Sequence, residues 1–311
     1  MQIDFKTLSQ KYGLVIVFVI LCLGLALLTD RFLTVNNIIN ILRQSTINGI
    51  IAIGMTYVIL TAGIDLSVGS ILALTGVVTA SLLQSEGMPV PTAVLLGLAL
   101  GALLGILNGA IITQLSVPPF VTTLGMMTIA RGLALTFTEG RPITGLPDSF
   151  RVLGTGSLGP IPVPILIAAT AFIVGYVILN HTTIGEYVFA LGNNPVAARY
   201  AGINTSIYTI FVYMVAGVLA ALAGLILTAR LNSAQPTAGL AYEFDAIAAV
   251  VVGGTSFAGG EGSLWGTLLG VLVIAVLNNG LNLLNVSSFY QPVVTGVVIA
   301  LALLFYKLIR R

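Results

Sequence analysis

Long stretches without a charged residue are the feature that most constrains this chain. Residues 87–130 and 262–306 contain no Asp, Glu, Lys or Arg, and six other such stretches hold at least 15 residues each. A helix needs about 20 apolar residues to cross the ~30 Å hydrocarbon core of a bilayer. Each of the two long stretches can therefore hold two crossings, separated at Pro118–Pro119 and at residues 286–288. The sequence predicts a polytopic membrane protein.

Composition indicates that the crossings are helices. Only 7% of the 311 residues are charged and 57% are hydrophobic, whereas soluble domains carry about 25% charged residues. The strands of a membrane barrel would show short segments of alternating polarity, and here the apolar runs are continuous. The net charge of +2 gives no indication of nucleic-acid binding, so membrane lipid is the expected surrounding. The predicted fold class is an all-α membrane protein, a polytopic helical bundle.

The positive charges at the two termini predict the orientation. Lys6 and Lys11 precede the first apolar run, and Lys307, Arg310 and Arg311 follow the last one. Cytoplasmic segments are rich in Lys and Arg, so both termini are expected inside and the number of spans is even. Ten spans are predicted at residues 12–29, 45–62, 66–85, 91–113, 119–138, 162–180, 206–228, 243–257, 264–284 and 290–307.

Two connections are longer than a hairpin requires. Residues 139–161 are rich in Gly, Pro and Ser and form the predicted outer loop, and residues 181–205 form an inner segment. The other connections leave no room for a soluble domain, which usually has about 50 residues or more. We therefore expect residues 1–311 to form a single transmembrane domain.

Small residues in the fourth span predict how the helices pack. Glycine recurs every four residues at Gly97, Gly101, Gly105 and Gly109, which places all four on one helix face. Such a face lets a neighbouring backbone approach closely. Glycine is also common in membrane helices in general, so the pattern admits a reading without a specific packing role.

The two halves of the chain share a weak internal sequence repeat. Residues 108–125 and 279–296 both begin with Asn-Gly, carry Ser at the ninth position, contain Pro in the second half and end in Gly. In the ten-span topology these segments cross in opposite senses, as in the inverted repeats of many transporters. A match this short also arises by chance, so the inverted repeat is one of two open interpretations.

The sequence lacks the motifs that would supply energy for transport or carry out catalysis. A P-loop needs a Lys followed by Ser or Thr after a Gly-rich turn, and none of the three lysines, Lys6, Lys11 and Lys307, has that context. His181 is the sole histidine, which excludes a site built from several histidines. We therefore predict that the chain is not an enzyme, and that a partner supplies the energy or the protein is a passive channel.

The charged residues near the spans admit ordinary explanations. Asp65, Glu243 and Asp245 lie at predicted span ends, where an acidic residue favours a helix N-terminus without further function. Arg131 is the one charge well inside a predicted span. It is either a functional residue or a side chain that extends along its aliphatic stem towards the outer surface.

The inner segment contains a predicted docking element. Asn194–Pro195 is a favourable helix start, residues 195–201 are long enough for two turns, and Gly202 can end the helix. A short helix on the cytoplasmic face has a shape that fits a groove of another protein. The alternative is a plain amphipathic connector between two spans.

Several segments resemble one known family. Among them are GIDLSVGS at residues 63–70, ALGNNPVAARYAGI at 190–203 and LNNGLN at 277–282, with further segments at 233–249 and 253–262. Together they resemble the permease subunits of bacterial sugar ABC importers, the ribose-type branch of the binding-protein-dependent transport family. The similarity extends from about residue 34 to residue 296, and the outer loop 139–161 resembles the family less closely.

The resemblance implies partners and a location. It implies a multi-pass protein of the bacterial inner membrane that forms a homodimer, docks a cytoplasmic ATP-binding subunit and receives solute from a periplasmic sugar-binding protein. ATP and Mg would bind to the partner subunit, and this chain itself would hold no cofactor and no metal. The expected cargo is ribose or a related monosaccharide. Another sugar, a nucleoside, or a self-sufficient solute facilitator or channel are the alternatives.

The resemblance also implies functional residues. The expected ATPase-coupling residues are Gly185, Gly192, Asn193, Asn194, Pro195, Ala197, Ala198, Arg199 and Gly202. Polar residues of the fifth and tenth spans are expected in the translocation pathway, namely Thr122, Thr123 and Thr295.

Overall fold

The protein is an all-α bundle in which short strands occur only on one side. The computed structural model describes residues 5–84, 87–290, 293–294 and 296–297. The helices of these residues are α1 (Phe5–Leu28), α2 (Val35–Leu60), α3 (Val68–Gln84), α4 (Val90–Gln114), α5 (Pro119–Thr138), α6 (Asp148–Thr155), α7 (Val163–His181), α8 (Thr183–Asn193), α9 (Pro195–Tyr200), α10 (Thr205–Leu231), α11 (Tyr242–Val252) and α12 (Leu264–Leu283). The two-residue strands are β1 (Ile143–Thr144), β2 (Ser157–Leu158), β3 (Ile161–Pro162) and β4 (Ser233–Ala234), and a 3₁₀ turn covers Ser288–Tyr290.

Six helices of the described residues are long and apolar enough to cross a membrane by length and composition: α2, α4, α5, α7, α10 and α12. Residues Gly13–Leu28 of α1 and Val68–Gln84 of α3 are shorter apolar helices. The predicted all-α, polytopic membrane fold is confirmed. The predicted tenth span, residues 290–307, lies almost wholly outside the described residues.

The second predicted span begins too late. Its start was predicted at residue 45, whereas α2 begins at Val35, where Thr34 Oγ1 accepts a hydrogen bond from the Asn37 backbone N–H at 3.4 Å. Arg43 and several amides in residues 36–48 interrupt the apolar pattern, so hydropathy alone does not reveal this part of the helix. This part of α2 can carry Arg43, Gln44 and Asn48 because these residues border a cavity, described below.

The eighth predicted span is not a full crossing. Residues 243–257 were predicted to span, but α11 has 11 residues, and at 1.5 Å per residue it covers only about 16 Å. Irregular segments at 232–241 and 253–263 flank it. Non-helical backbone is tolerated at membrane depth only where protein or a water-filled cavity surrounds it. Both conditions are met around α11, so a half-helix is stable where hydropathy suggested a span.

Some helix contacts are compatible with the inverted repeat, which stays a prediction. Helix α10 packs on α3 and α4, and helix α2 packs on α11 and α12. Helices α4 and α12 carry the two Asn-Gly pairs, and each is followed by a residue with positive φ, Ser116 at 54° and Asn285 at 57°. They run in opposite directions. Helix α4 starts at the outer side and runs inwards to α5, whereas α12 starts at the inner loop 253–263 and runs outwards.

The four glycines of α4 lie against neighbouring helices. A Cβ on Gly101 would lie 2.5 Å from the Gly217 carbonyl oxygen of α10, and one on Gly105 would lie 2.2 Å from the Tyr213 carbonyl oxygen. Gly109 faces Ile210 of α10, and Gly97 faces Thr79 of α3. Helices α4 and α10 therefore meet backbone to backbone, a contact that only a residue without a side chain permits.

The predicted outer loop has more structure than its Gly- and Pro-rich sequence suggested. Strand β1 pairs antiparallel with β4, and β2 pairs antiparallel with β3. Between them, α6 buries Phe150 and brings Gly154 so close to α10 that an added Cβ would lie 2.2 Å from the Arg230 backbone nitrogen. The loop thus fixes the outer end of α10.

The close approach of α4 and α10 makes a testable prediction. Gly105→Ala should lower the unfolding midpoint, because the new methyl group meets the Tyr213 carbonyl and overpacking costs about 1–3 kcal/mol. Gly132→Ala on α5 is the matched control, because nothing lies within 4 Å of a Cβ there. Thermal unfolding of the detergent-solubilised variants measures both effects. An equal midpoint for the two variants would contradict the proposed packing.

Candidate functional site

A polar cavity lies between α2, α10, α11 and α12. Its volume is about 460 Å³. The polar side chains at its wall are Asn40, Arg43, Gln44, Ser45, Asn48, Arg230, Tyr242, Asp245, Asn278 and Asn282. It lies in the outer half of the bundle, because Arg230 is next to the outer loop and the lining part of α12 is its carboxyl-terminal half. A polar cavity within a membrane bundle is a candidate solute pathway.

The polar wall arises from helical spacing within two long helices. Asn40, Gln44 and Asn48 follow each other at intervals of four residues on α2, and Asn278 and Asn282 have the same spacing on α12. Residues four apart lie on one face of a helix. Each helix therefore turns a polar stripe towards the cavity.

Charges and unpaired hydrogen-bonding groups give the cavity its chemistry. Asp245, Arg43 and Arg230 all line the cavity, and Asp245 Oδ2 accepts a hydrogen bond from Asn48 Nδ2 at 3.4 Å. Arg43 Nε and Asn278 Oδ1 are buried and have no hydrogen-bond partner among the described residues. The polar side chains of the wall together offer donors and acceptors that suit a solute with several hydroxyl groups.

The predicted pathway residues of α5 lie elsewhere. Thr122 and Thr123 are buried and do not border the polar cavity. Thr123 Oγ1 donates to the Ile64 carbonyl at 3.2 Å and so supports the connection between α2 and α3. Thr295 lies outside the described residues. A pathway role for these threonines stays a prediction.

The connection between α2 and α3 is a compact polar turn. Asp65 Oδ1 accepts hydrogen bonds from the Ser67 backbone N–H at 2.8 Å and from Ser67 Oγ at 2.6 Å. Asn108 Nδ2 of α4 donates to Ser67 Oγ at 2.9 Å. Asp65 thus stabilises the turn that starts α3, close to the helix-start role that its position predicted.

The predicted docking helix α9 is present with caps at both ends. Asn194 Oδ1 accepts hydrogen bonds from the Val196 and Ala197 backbone N–H groups, each at 3.0 Å. At the other end Gly202 has φ of 85°, and the Ile203 N–H donates to the Ala198 carbonyl at 3.1 Å. This pair of features forms a Schellman ending. The helix therefore begins at Pro195 and ends before Gly202, as predicted.

One face of α9 is exposed and the other is anchored. Val196 is 62% exposed and Tyr200 is 90% exposed, one helical turn apart, whereas Ala198 is buried. The exposed Arg199 side chain reaches Thr205 Oγ1 of α10 at 3.4 Å. The exposed apolar pair is a surface on which another protein can dock.

Helix α8 joins the docking helix to the inner ends of the bundle. A Cβ on Gly192 would lie 1.9 Å from the Leu60 carbonyl of α2 and 2.3 Å from the Gly260 backbone nitrogen. The Gly260 N–H itself donates to the Leu60 carbonyl at 2.9 Å, and Asn193 Nδ2 donates to the Gly260 carbonyl at 3.4 Å. Three backbones therefore meet at this glycine junction of Leu60, Gly192 and Gly260.

Gly185 has the same kind of role at the start of α8. A Cβ at Gly185 would lie 1.8 Å from the Leu179 carbonyl, so α8 turns back closely against α7. Tyr187 of α8 packs edge-on against Tyr208 of α10, with ring centroids 4.8 Å apart. The predicted coupling residues thus fall into two groups, an exposed helix and a set of glycine contacts behind it.

Helices α2 and α12 connect the glycine junction with the polar cavity. Helix α2 contributes Leu60 to the glycine junction and Asn40–Asn48 to the cavity, and the loop that contains Gly260 leads directly into α12. The glycine junction therefore contacts the two chain segments that continue into two walls of the cavity. Among the described residues, no group of three or more His, Cys, Asp or Glu could hold a metal ion.

Comparison with known proteins agrees with this geometry. Residues 37–304 match the family described as "Branched-chain amino acid transport system / permease component". The chain belongs to this family. The permease is 50% identical to the ribose import permease protein of Haemophilus influenzae, over 93% of this chain and 90% of that protein. No solved structure matches it.

Further relatives carry related names. The permease is 51% identical to the ribose import permease protein of Bacillus subtilis, over 97% of this chain and 94% of that protein. It is 38% identical to the D-allose transport system permease protein of Escherichia coli, over 99% of this chain and 95% of that protein. The predicted resemblance to importer permeases is confirmed.

The cavity of the permease was not predicted from the sequence. No role was predicted for Arg43, and Asp245 was interpreted as an acid at a helix start. The signal was available in the amides at intervals of four residues on α2 and α12. It was weak because each amide alone fits an ordinary helix, and only the fold places the two stripes opposite each other.

Access to water from the outer side tests the cavity of the permease. In a Cys22→Ala background, Asn278→Cys should react with a membrane-impermeant maleimide about ten times faster than Thr123→Cys, because thiolate formation needs water and access. Leu133→Cys is the matched control, since Leu133 is 50% exposed but lies on an apolar helix face. The measurement is the labelling rate in right-side-out vesicles. Equal rates at Asn278 and Leu133 would exclude a water-filled cavity.

Proposed function

We propose that this chain is the membrane-spanning permease subunit of an ATP-driven importer that carries ribose or a related monosaccharide across the bacterial inner membrane. Two relatives with about 50% identity over nearly the whole chain are named as ribose import permeases. The D-allose relative is less similar, at 38% identity. A sugar cargo also suits the cavity, whose amides, arginines and carboxylate can both donate to and accept from hydroxyl groups.

The observation that carries the proposal is the mechanical connection between the docking helix and the cavity. The exposed pair Val196 and Tyr200 offers a contact for a cytoplasmic ATP-binding subunit, which would hold ATP and Mg. When that subunit closes on ATP, the displacement of α9 passes through Gly192 and Gly260 to α2 and α12. The partner has to bias two conformations by only a few kcal/mol to change which side the cavity faces.

The other proposed partners follow from the same arrangement. A periplasmic sugar-binding protein would deliver the solute at the outer side, where the cavity and the outer loop lie. A second copy of the chain would complete the pathway as a homodimer. The selectivity for one sugar would then rest mainly on the binding protein, because the cavity offers general hydroxyl-binding groups.

Reconstitution tests the function directly. Proteoliposomes that contain the permease, the ATP-binding subunit and enclosed ATP should take up radiolabelled ribose when the loaded binding protein is outside. Omission of the ATP-binding subunit should abolish uptake. Uptake that persists without this subunit would instead support a self-sufficient facilitator, the alternative function. No uptake with all components and several monosaccharides would refute the proposal.

A surface substitution tests the docking helix separately. Tyr200→Glu should weaken binding of the ATP-binding subunit about tenfold or more, because a charge would be buried at an apolar contact. The fold should be unaffected, since Tyr200 is 90% exposed. Leu158→Glu is the matched control, because Leu158 is 72% exposed on the opposite side. Titration of the ATP-binding subunit onto permease in nanodiscs gives both affinities, and an unchanged affinity for Tyr200→Glu would contradict docking at α9.

A further inference from the structure

Arg131 is the only charged residue of α5, and its side chain does not extend to the outer surface. It is partly buried, and its Nη1 donates one hydrogen bond to the Pro236 carbonyl at 2.6 Å and another to the Ala238 carbonyl at 2.8 Å. Snorkelling towards water therefore does not explain the residue. It does not border the polar cavity either. Its role must lie in the segment that it binds.

That segment is an irregular turn between α10 and α11. Within it, the Ala238 N–H donates to the Gln235 carbonyl at 3.0 Å, and Gly239 and Ala241 both have φ of 69°. A turn of this kind leaves carbonyl groups without helical partners, which is unfavourable inside a membrane protein. Arg131 satisfies two of these carbonyls from another helix.

The turn is also held from the side of α3. A Cβ on Gly69 would lie 2.2 Å from the Gly239 carbonyl oxygen and 2.6 Å from Glu243 Oε2. Glu243 is 7% exposed, and its charge interacts with that of Arg131. The turn therefore has contacts on two sides, and Arg131 provides the charged one.

The turn leads directly into the wall of the cavity. The Tyr242 N–H donates to the Gly239 carbonyl at 3.3 Å, and Tyr242 starts α11. The first turn of α11 then presents Tyr242 and Asp245 to the cavity, which Arg43 also lines. A shift of the turn necessarily shifts both cavity residues.

We propose that Arg131 is a positioning residue for solute passage, which fixes Tyr242 and Asp245 in the cavity by binding the carbonyls of Pro236 and Ala238. The inference rests on the proposed transport function. Helix α5, in the first half of the chain, would thus control the position of a cavity wall that the second half forms. Loss of Arg131 should therefore alter the cavity and the transport rate, and leave the docking helix α9 intact.

A labelling experiment tests the positioning without any transport assay. In a Cys22→Ala background, Tyr242→Cys reports the environment at the start of α11. Adding Arg131→Gln should change the rate of modification by a membrane-impermeant maleimide about tenfold, because two charge-assisted hydrogen bonds are lost. Arg131→Lys should restore most of the original rate, since an ammonium group can donate to both carbonyls. Arg141→Gln, an exposed arginine near the outer end of α5, should have no effect.

The isolated charge of Glu243 requires a second variant. Arg131→Gln leaves Glu243 buried without its cation and can reduce the yield of folded protein. The double variant Arg131→Gln with Glu243→Gln removes that charge. The carbonyls of Pro236 and Ala238 still lack their hydrogen bonds from Arg131. The double variant should show the same altered labelling at position 242. A labelling rate equal to that of the Arg131 parent, in a variant that elutes as folded protein, would overturn the proposal.

Transport kinetics distinguish positioning from a general loss of stability. In proteoliposomes with the ATP-binding subunit, Arg131→Gln should lower the maximal ribose uptake at least about tenfold. The affinity for the ATP-binding subunit should stay unchanged, because α9 is not part of the turn, and Arg131→Lys should recover the rate. Equal uptake by wild type and Arg131→Gln would overturn the inference. Absence of uptake by wild type would refute the proposed function instead, and the labelling result would still decide the role of Arg131.

Discussion

A bilayer offers no water to the polar groups of its proteins, and this constraint governs the structure. The interior amides and hydroxyls of the helices meet each other: Asn37 and Asn279 exchange hydrogen bonds at 3.0 and 2.9 Å, and the hydroxyls of Thr56 and Thr267 are 2.7 Å apart. The irregular backbone around α3 and α11 is satisfied in the same way by Thr123 and Arg131. Against this background, the polar wall of the cavity, which includes Arg43, Asp245 and Asn278, stands out as the candidate solute pathway.

Membrane helices also lack a hydrophobic driving force for association, so close packing has to supply it. Three of the α4 glycines allow contact with the α10 backbone over successive turns, which joins the two halves of the chain. On the other side of the bundle, α2 packs on α11 and α12. Two long helices, one from each half, thus form the centre, and the half-helices and the cavity are arranged around them.

The sequence was sufficient for the features that depend on one segment at a time. Charge-free stretches predicted the helical membrane fold, the Asn194–Pro195 and Gly202 signals predicted α9, and glycine spacing predicted a packing face on α4. The start of α2 and the half-helix α11 were mispredicted, because hydropathy registers only average polarity. A polar residue such as Arg43 is compatible with a membrane helix when another helix provides a cavity opposite it, and that information is not contained in either helix alone. Arg131 illustrates the same limit, since its acceptors lie about a hundred residues further along the chain.

The meeting of Leu60, Gly192 and Gly260 has a consequence for how such a protein can change over time. Main-chain atoms touch there without any intervening side chain, so a substitution has no neighbour that can repack to absorb it. The outward surface of α9 is under no such restriction, because Val196 and Tyr200 contact little of their own chain. The proposed docking surface can therefore diverge through a few surface replacements, whereas the backbone contacts behind it leave little room for change.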